Sequence, residues 1–73
     1  MQAPIAMRNK QQVTAREREI LQLMAKGNSS TMIGEELDIS LKTVETHRKN
    51  MLKKFTAINA VMLMHIVTKA GIV

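Results

Sequence analysis

The sequence predicts an all-α fold, a four-helix helix-turn-helix bundle in which a tight turn joins the second and third helices. Three observations carry this. Strong helix formers dominate, while Gly and Pro number only three and one in 73 residues, which argues against a turn-rich β-barrel. Apolar residues recur at helical spacing in four separate stretches. Residues suited to capping stand between those stretches. With no Cys, neither a disulfide nor thiolate-bound zinc can hold so small a chain together. Its core must come from Leu, Ile, Val and seven Met around a single Phe.

The first helix opens at Thr14 in "TAREREILQLMAKG". Thr14 and Glu17 have the spacing of a capping box, in which hydroxyl and carboxylate each satisfy an orphan amide of the first turn. Ile20, Leu21, Leu23 and Met24 form the apolar stripe, and Gly27 stands where a left-handed C-cap is wanted. "NSST" caps a shorter second helix over roughly residues 30–37, with Ile33 and Leu37 facing inward. Gly34 costs that helix about 1 kcal/mol relative to Ala. Clearance for a closely crossing helix explains it better than simple tolerance does.

Asp38 ends the second helix, Ile39 tucks inward, and Ser40 caps the third. So short a break forces the two helices to meet steeply, as in a helix-turn-helix. The third helix spans about 41–55. Val44, Met51 and Phe55 share a narrow arc flanked by His47, while Lys42, Thr46, Lys49 and Lys53 lie opposite, with Glu45 and Asn50 on the shoulders. Asn59 caps a fourth helix over about 60–69, apolar nearly all round, part of which is expected to meet another chain.

Charge sharpens the picture. Residues 1–38 hold five Lys/Arg and five Asp/Glu, whereas residues 39–73 hold six basic residues and one acid. The whole excess of +5 therefore sits in the second half. Ordinary solubility charge does not normally segregate so cleanly, so a polyanionic partner is indicated. The amino end, "MQAPIAMRNKQQ", lacks the apolar core of a secretory signal and reads as a flexible tail or interdomain linker over 1–12, leaving 13–73 as the domain. The chain is either a complete small protein or a piece of a larger one. "AVMLMHIV", the longest apolar run, is too short to span a bilayer, and a cytoplasmic location is expected.

The major groove of B-form DNA admits one α-helix, and helix-turn-helix proteins place their second helix there. Thr46 and Lys49 project from the exposed face of the third helix, where base edges are reached. Lys42, Arg48, Lys53 and Lys54 are placed for phosphates, and the start of the second helix, with Ser30 and Thr31, offers another phosphate clamp. Glu45 has two readings: acceptance from a cytosine amino group, or an intrahelical pair with Lys49, favoured slightly on energy. His47 reads as a wedged structural side chain rather than a phosphate ligand. No metal or cofactor is implied, and no nucleophile–base pair or Gly-rich phosphate loop suggests an enzyme.

The stretch from Thr14 to Phe55 resembles the LuxR/GerE-type helix-turn-helix domain of many bacterial response regulators, of the NarL/FixJ kind. The matching residues include Thr14-Ala15-Arg16-Glu17, Ala25-Lys26-Gly27, Ile33, Leu37, Ile39-Ser40, Thr43-Val44, His47, Asn50 and Lys54-Phe55. Met32 stands where that family commonly has a polar residue, and Gly34 where Ala is usual. The resemblance implies a wingless member of the winged-helix-like superfamily that binds double-stranded DNA as a transcriptional regulator, with the helix-turn-helix at about 29–48. Phosphate contacts are expected from Ser30, Thr31, Lys42, Thr43, Arg48 and Lys53, and the resemblance further implies base contacts by Glu45, Thr46 and Lys49. Pairing of two protomers through Val61, Met64, His65 and Thr68, and RNA polymerase as a further partner, follow on the same footing. The competing expectation is a protein-interaction module that docks a partner on the Met-rich fourth helix. A basic helix lying on a membrane is disfavoured, because the positive face and the apolar helix are different segments.

Overall fold

The computed structural model describes residues 13–73. Four helices follow one another: α1 (Ala15–Ala25), α2 (Ser30–Leu37), α3 (Leu41–Lys54) and α4 (Ala60–Lys69), with no strand among the described residues. The tail or linker expected over 1–12 lies outside the described residues.

The capping box of α1 forms as its spacing demands. The Glu17 amide donates to Thr14 Oγ1 at 3.1 Å, and the Thr14 amide donates to Glu17 Oε1 at 3.0 Å. At the other end Gly27 adopts φ +92°, a left-handed conformation that favours a residue without Cβ. Ile20 and Leu21 are fully buried; Leu23 and Met24, also expected inside, are only half-buried.

Asp38 closes α2 in the left-handed region, φ 56°, which its short polar side chain tolerates. The chain then doubles back at once, and the Ile39 amide donates to Gly34 O at 2.9 Å. A Cβ on Gly34 would stand 2.8 Å from Ile39 O, 3.6 Å from Val44 Cγ2 and 3.7 Å from Leu41 N. Clearance is therefore the reason for the glycine. The close neighbour, though, is the carbonyl of the turn itself rather than the flank of a crossing helix.

Ser40 caps α3, its Oγ accepting from the Thr43 amide at 3.0 Å. Val44 and Met51 face inward, fully buried, and Phe55 follows them into the core. α3 stops one residue short of the expected Phe55 because Thr56 turns to φ 55°. The Ala57 amide then folds back onto Leu52 O at 2.8 Å. In α4, capped by Asn59, Leu63 and Val67 complete the core with Ile33, while Val61 stays 81% exposed. Each helix thus contributes one or two fully buried side chains to a single cluster.

One polar tie crosses this core. The Lys54 ammonium donates to Glu17 Oε1 at 2.7 Å, on a carboxylate only 6% exposed. Lys54, expected to serve phosphates, is instead committed to α1, because a nearly buried carboxylate needs a cation beside it. Burial pushes the Glu17 carboxyl up, but the Lys54 and Thr14 hydrogen bonds and the Lys54 charge outweigh it and hold the group below its ordinary value.

A lowered folded-state pKa contributes stability above the unfolded value of about 4.3, and that stability is lost as pH falls through the folded value. Acid titration of the melting temperature is expected to show this loss, and Glu17→Gln to flatten it while costing about 1–3 kcal/mol at neutral pH. Lys54→Ala is expected to lower the melting temperature markedly, whereas Lys53→Ala, on an exposed site, shifts stability by no more than about 0.5 kcal/mol. For Gly34→Ala, a Cβ 2.8 Å from the backbone carbonyl of Ile39 forces the turn to shift, so denaturant melts should show a net loss of about 1 kcal/mol despite the gain in helix propensity. Gly34→Leu, with atoms beyond Cβ and no room for them, is expected to cost about 1–3 kcal/mol.

Candidate nucleic-acid interface

α3 is a rod of about 21 Å at the usual rise per residue. Its inner side is fixed by Val44 and Met51, and the constraint determines what faces out. Lys42, Thr43, Glu45, Thr46, Lys49, Asn50 and Lys53 are all exposed, whereas His47 and Arg48 are half-buried on the flanks. The structure thus brings the three expected base-reading residues, Glu45, Thr46 and Lys49, to the outer face of one helix, with Lys42 and Lys53 toward its two ends.

Hydrogen bonds shape several of these side chains. Thr46 Oγ1 donates to Lys42 O at 2.9 Å, which engages its proton with the helix and leaves its methyl for apolar contact. The Thr43 hydroxyl lies 2.8 Å from Ser40 Oγ, so it belongs to the cap of α3 as well as to the exposed face. Glu45 and Lys49 do not form the intrahelical pair that the sequence favours. The ion pairs among the described residues are Arg16–Glu19 at 3.6 Å and Lys54–Glu17 at 2.7 Å. An exposed pair gains a few tenths of a kcal/mol, too little to hold two long side chains in one geometry. Both groups are left to project separately.

The start of α2 joins this surface through a contact that the sequence does not announce. Ser29, not Ser30, is the N-cap, its Oγ accepting from the Met32 amide at 3.2 Å. The Ser30 hydroxyl is thereby released from capping and accepts from Arg48 Nη1 at 2.6 Å. One guanidinium bond links the first turn of α2 to the middle of α3, and it places Ser30, Thr31 and Arg48 on a common shoulder beside the basic face. The remaining Arg48 donors, the Ser30 hydroxyl proton and the free amides of the first turn are all hydrogen-bond donors, the chemistry that a phosphate accepts.

Sequence reasoning gave no role to Leu41 and Met32, both about half exposed at 49% and 50% at the starts of α3 and α2. Exposed apolar side chains next to Lys42 and Thr31 offer contact to sugar or methyl groups at the rim of the basic face. On α4, Val61, His65 and Thr68 are exposed, whereas Met64 is half-buried and packs against the core at the edge of the flank they form. No group of three His, Asp or Glu side chains among the described residues could hold a metal ion, and none of the described helices is long and apolar enough to cross a membrane.

The sequence is similar to those of known proteins. The family model described as "Bacterial regulatory proteins, luxR family" matches residues 11–67. The chain is 43% identical over 61 residues to the uncharacterized response regulatory protein YgeK of Escherichia coli (strain K12), which covers 84% of this chain and 42% of that protein. It is 51% identical over 47 residues to the nitrate/nitrite response regulator protein NarL of the same organism, covering 64% of this chain and 22% of NarL. With the HTH-type quorum-sensing regulator RhlR of Pseudomonas aeruginosa it shares 48% identity over 59 residues, 81% of this chain and 24% of RhlR. The chain spans less than half the length of each of these relatives. Four helices, a steep turn held by Gly34, an outward basic face on α3 and a family match over most of the sequence agree: the chain belongs to the luxR family of bacterial regulatory proteins and forms its helix-turn-helix unit of DNA-binding transcription regulation.

Proposed function

We propose that residues 13–73 bind double-stranded DNA sequence-specifically, with α3 in the major groove and the start of α2 on the flanking backbone. The observation that carries this is the division of α3: Val44 and Met51 are fully buried while Glu45, Thr46 and Lys49 are exposed on the other side of the same rod. Glu45, Thr46 and Lys49 read bases. The Lys49 ammonium donates to guanine acceptors, the Thr46 methyl meets that of thymine, and Glu45 accepts from a cytosine amino group. Ser30, Thr31, Lys42, Thr43, Arg48 and Lys53 hold phosphates and set the register without reading sequence.

The response-regulator context is supported by the printed descriptions of YgeK and NarL. In it, this unit is the output domain of a two-component regulator in the bacterial cytoplasm, and residues 1–12 are its tail or linker. Two copies pair on DNA through the open flank of α4, Val61, Met64, His65 and Thr68, so that two half-sites are read together. RNA polymerase is the further partner of such a regulator. A unit of this kind binds and positions; it is not an enzyme.

Selection of bound duplexes from a random pool, followed by binding titrations over a range of salt, tests the reading. Lys49→Ala is expected to relax preference at one or two positions and to cost about 1–3 kcal/mol on the selected site. Lys53→Ala is expected to weaken all sequences alike and to reduce the salt slope by about one. Equal losses on every duplex for both variants would overturn sequence reading by α3.

A further inference from the structure

α3 carries two half-buried cations, Arg48 and Lys54, and they are answered differently. Lys54 meets a carboxylate, Glu17 Oε1, at 2.7 Å. Arg48 meets a neutral oxygen: its Nη1 donates to Ser30 Oγ at 2.6 Å, and neither ion pair among the described residues includes it. All six acids of the chain lie within the described residues, so none is left over to pair with it. Arg48 also lines a hollow with Met24, Val61 and Met64, and no acid is among the described residues around it. The side chain is thus bedded beside apolar groups while its charge stays unmatched.

Ser30 keeps its own proton in this bond. A hydroxyl that accepts from a guanidinium becomes a better donor in turn, because each hydrogen bond polarises the next. Ser29 does the capping of α2, so the Ser30 hydroxyl has no other duty in the helix. Arg48, for its part, retains the rest of its N–H fork. Ser30 Oγ and Arg48 Nη1 stand 2.6 Å apart, whereas successive phosphates of one strand are about 3.4 Å apart along the axis alone. Donors so close converge on one phosphate; they do not bridge two.

We propose that Ser30 and Arg48 act as a single phosphate contact: one guanidinium N–H holds the Ser30 oxygen, while the Ser30 O–H and an outer guanidinium N–H donate to the same phosphate. The pairing rests on the DNA-binding reading above and deepens it. Ser30 opens α2 and Arg48 lies midway along α3, so one phosphate is gripped by both helices and fixes how α3 lies in the groove. Exposed Lys42, Lys49 and Lys53 must give up rotamer freedom when they bind, whereas the Arg48 fork is already held. Register is set at this point, and the lysines add attraction around it.

A scan of the selected duplex with single neutral methylphosphonates, one backbone position at a time, tests the pairing. One position per half-site is expected to weaken wild-type binding about tenfold, as loss of a charge-assisted contact should. At that same position Ser30→Ala and Arg48→Met are each expected to be insensitive, while Ser30→Thr, which keeps a hydroxyl, stays sensitive. Each variant is compared with itself on modified and unmodified duplex, so any loss of stability cancels. On unmodified duplex each of Ser30→Ala and Arg48→Met is expected to cost about tenfold, and the two together far less than the product. Arg48→Lys, which keeps the charge without the fork, is expected to hold the salt slope yet lose the coupling to Ser30. Insensitivity of the two variants at different positions, or losses that multiply, would overturn the pairing and leave DNA binding standing. A wild type that binds no duplex would overturn both together.

Discussion

The approach of the Ile39 carbonyl to Gly34 is the constraint on which the rest of the structure depends. It lets α3 begin almost on top of α2, with Leu41 N and Val44 Cγ2 within van der Waals reach of where a side chain would stand. That proximity fixes the angle between the two helices. The angle puts Val44 into the core beside Ile33 and leaves the opposite face of α3 bare. It also brings Arg48 within reach of Ser30, so that backbone crowding in the turn ends as a side-chain bond well away from it.

The basic excess of the sequence proves to be two populations. Lys53 and Lys54 are neighbours in the chain, yet the first is exposed and the second is bound to a nearly buried carboxylate. One helical step of about 100° separates them and is enough to send one to solvent and the other to α1. The field that a polyanion meets is therefore that of Lys42, Arg48, Lys49 and Lys53, moderated by Glu45. The charge most important for holding α3 in place is not part of it.

What the sequence made legible was local. Capping residues, the left-handed Gly27 and the inward arc of Val44 and Met51 all follow from spacings within a helix turn or two, and the four helix spans agree with their periodicity to within a residue. The outward face of α3 was legible for the same reason, since fixing the inside of a helix fixes its outside. The Arg48–Ser30 and Lys54–Glu17 bonds were not, because they join residues 18 and 37 apart and arise only once the bundle has set its angles. The Glu45–Lys49 pair erred the other way. Its spacing is right, but exposure to water makes the contact too weak to fix either side chain.

The bond between Lys54 and Glu17 has a mechanical meaning beyond its stability. Glu17 Oε1 accepts both from Lys54 and from the backbone of Thr14, the residue through which the chain enters its first helix. A single oxygen atom therefore couples the doorway of the unit to the far tip of its recognition rod. Those two hydrogen bonds tie the start of α1 to the end of α3 by a polar route separate from the apolar cluster.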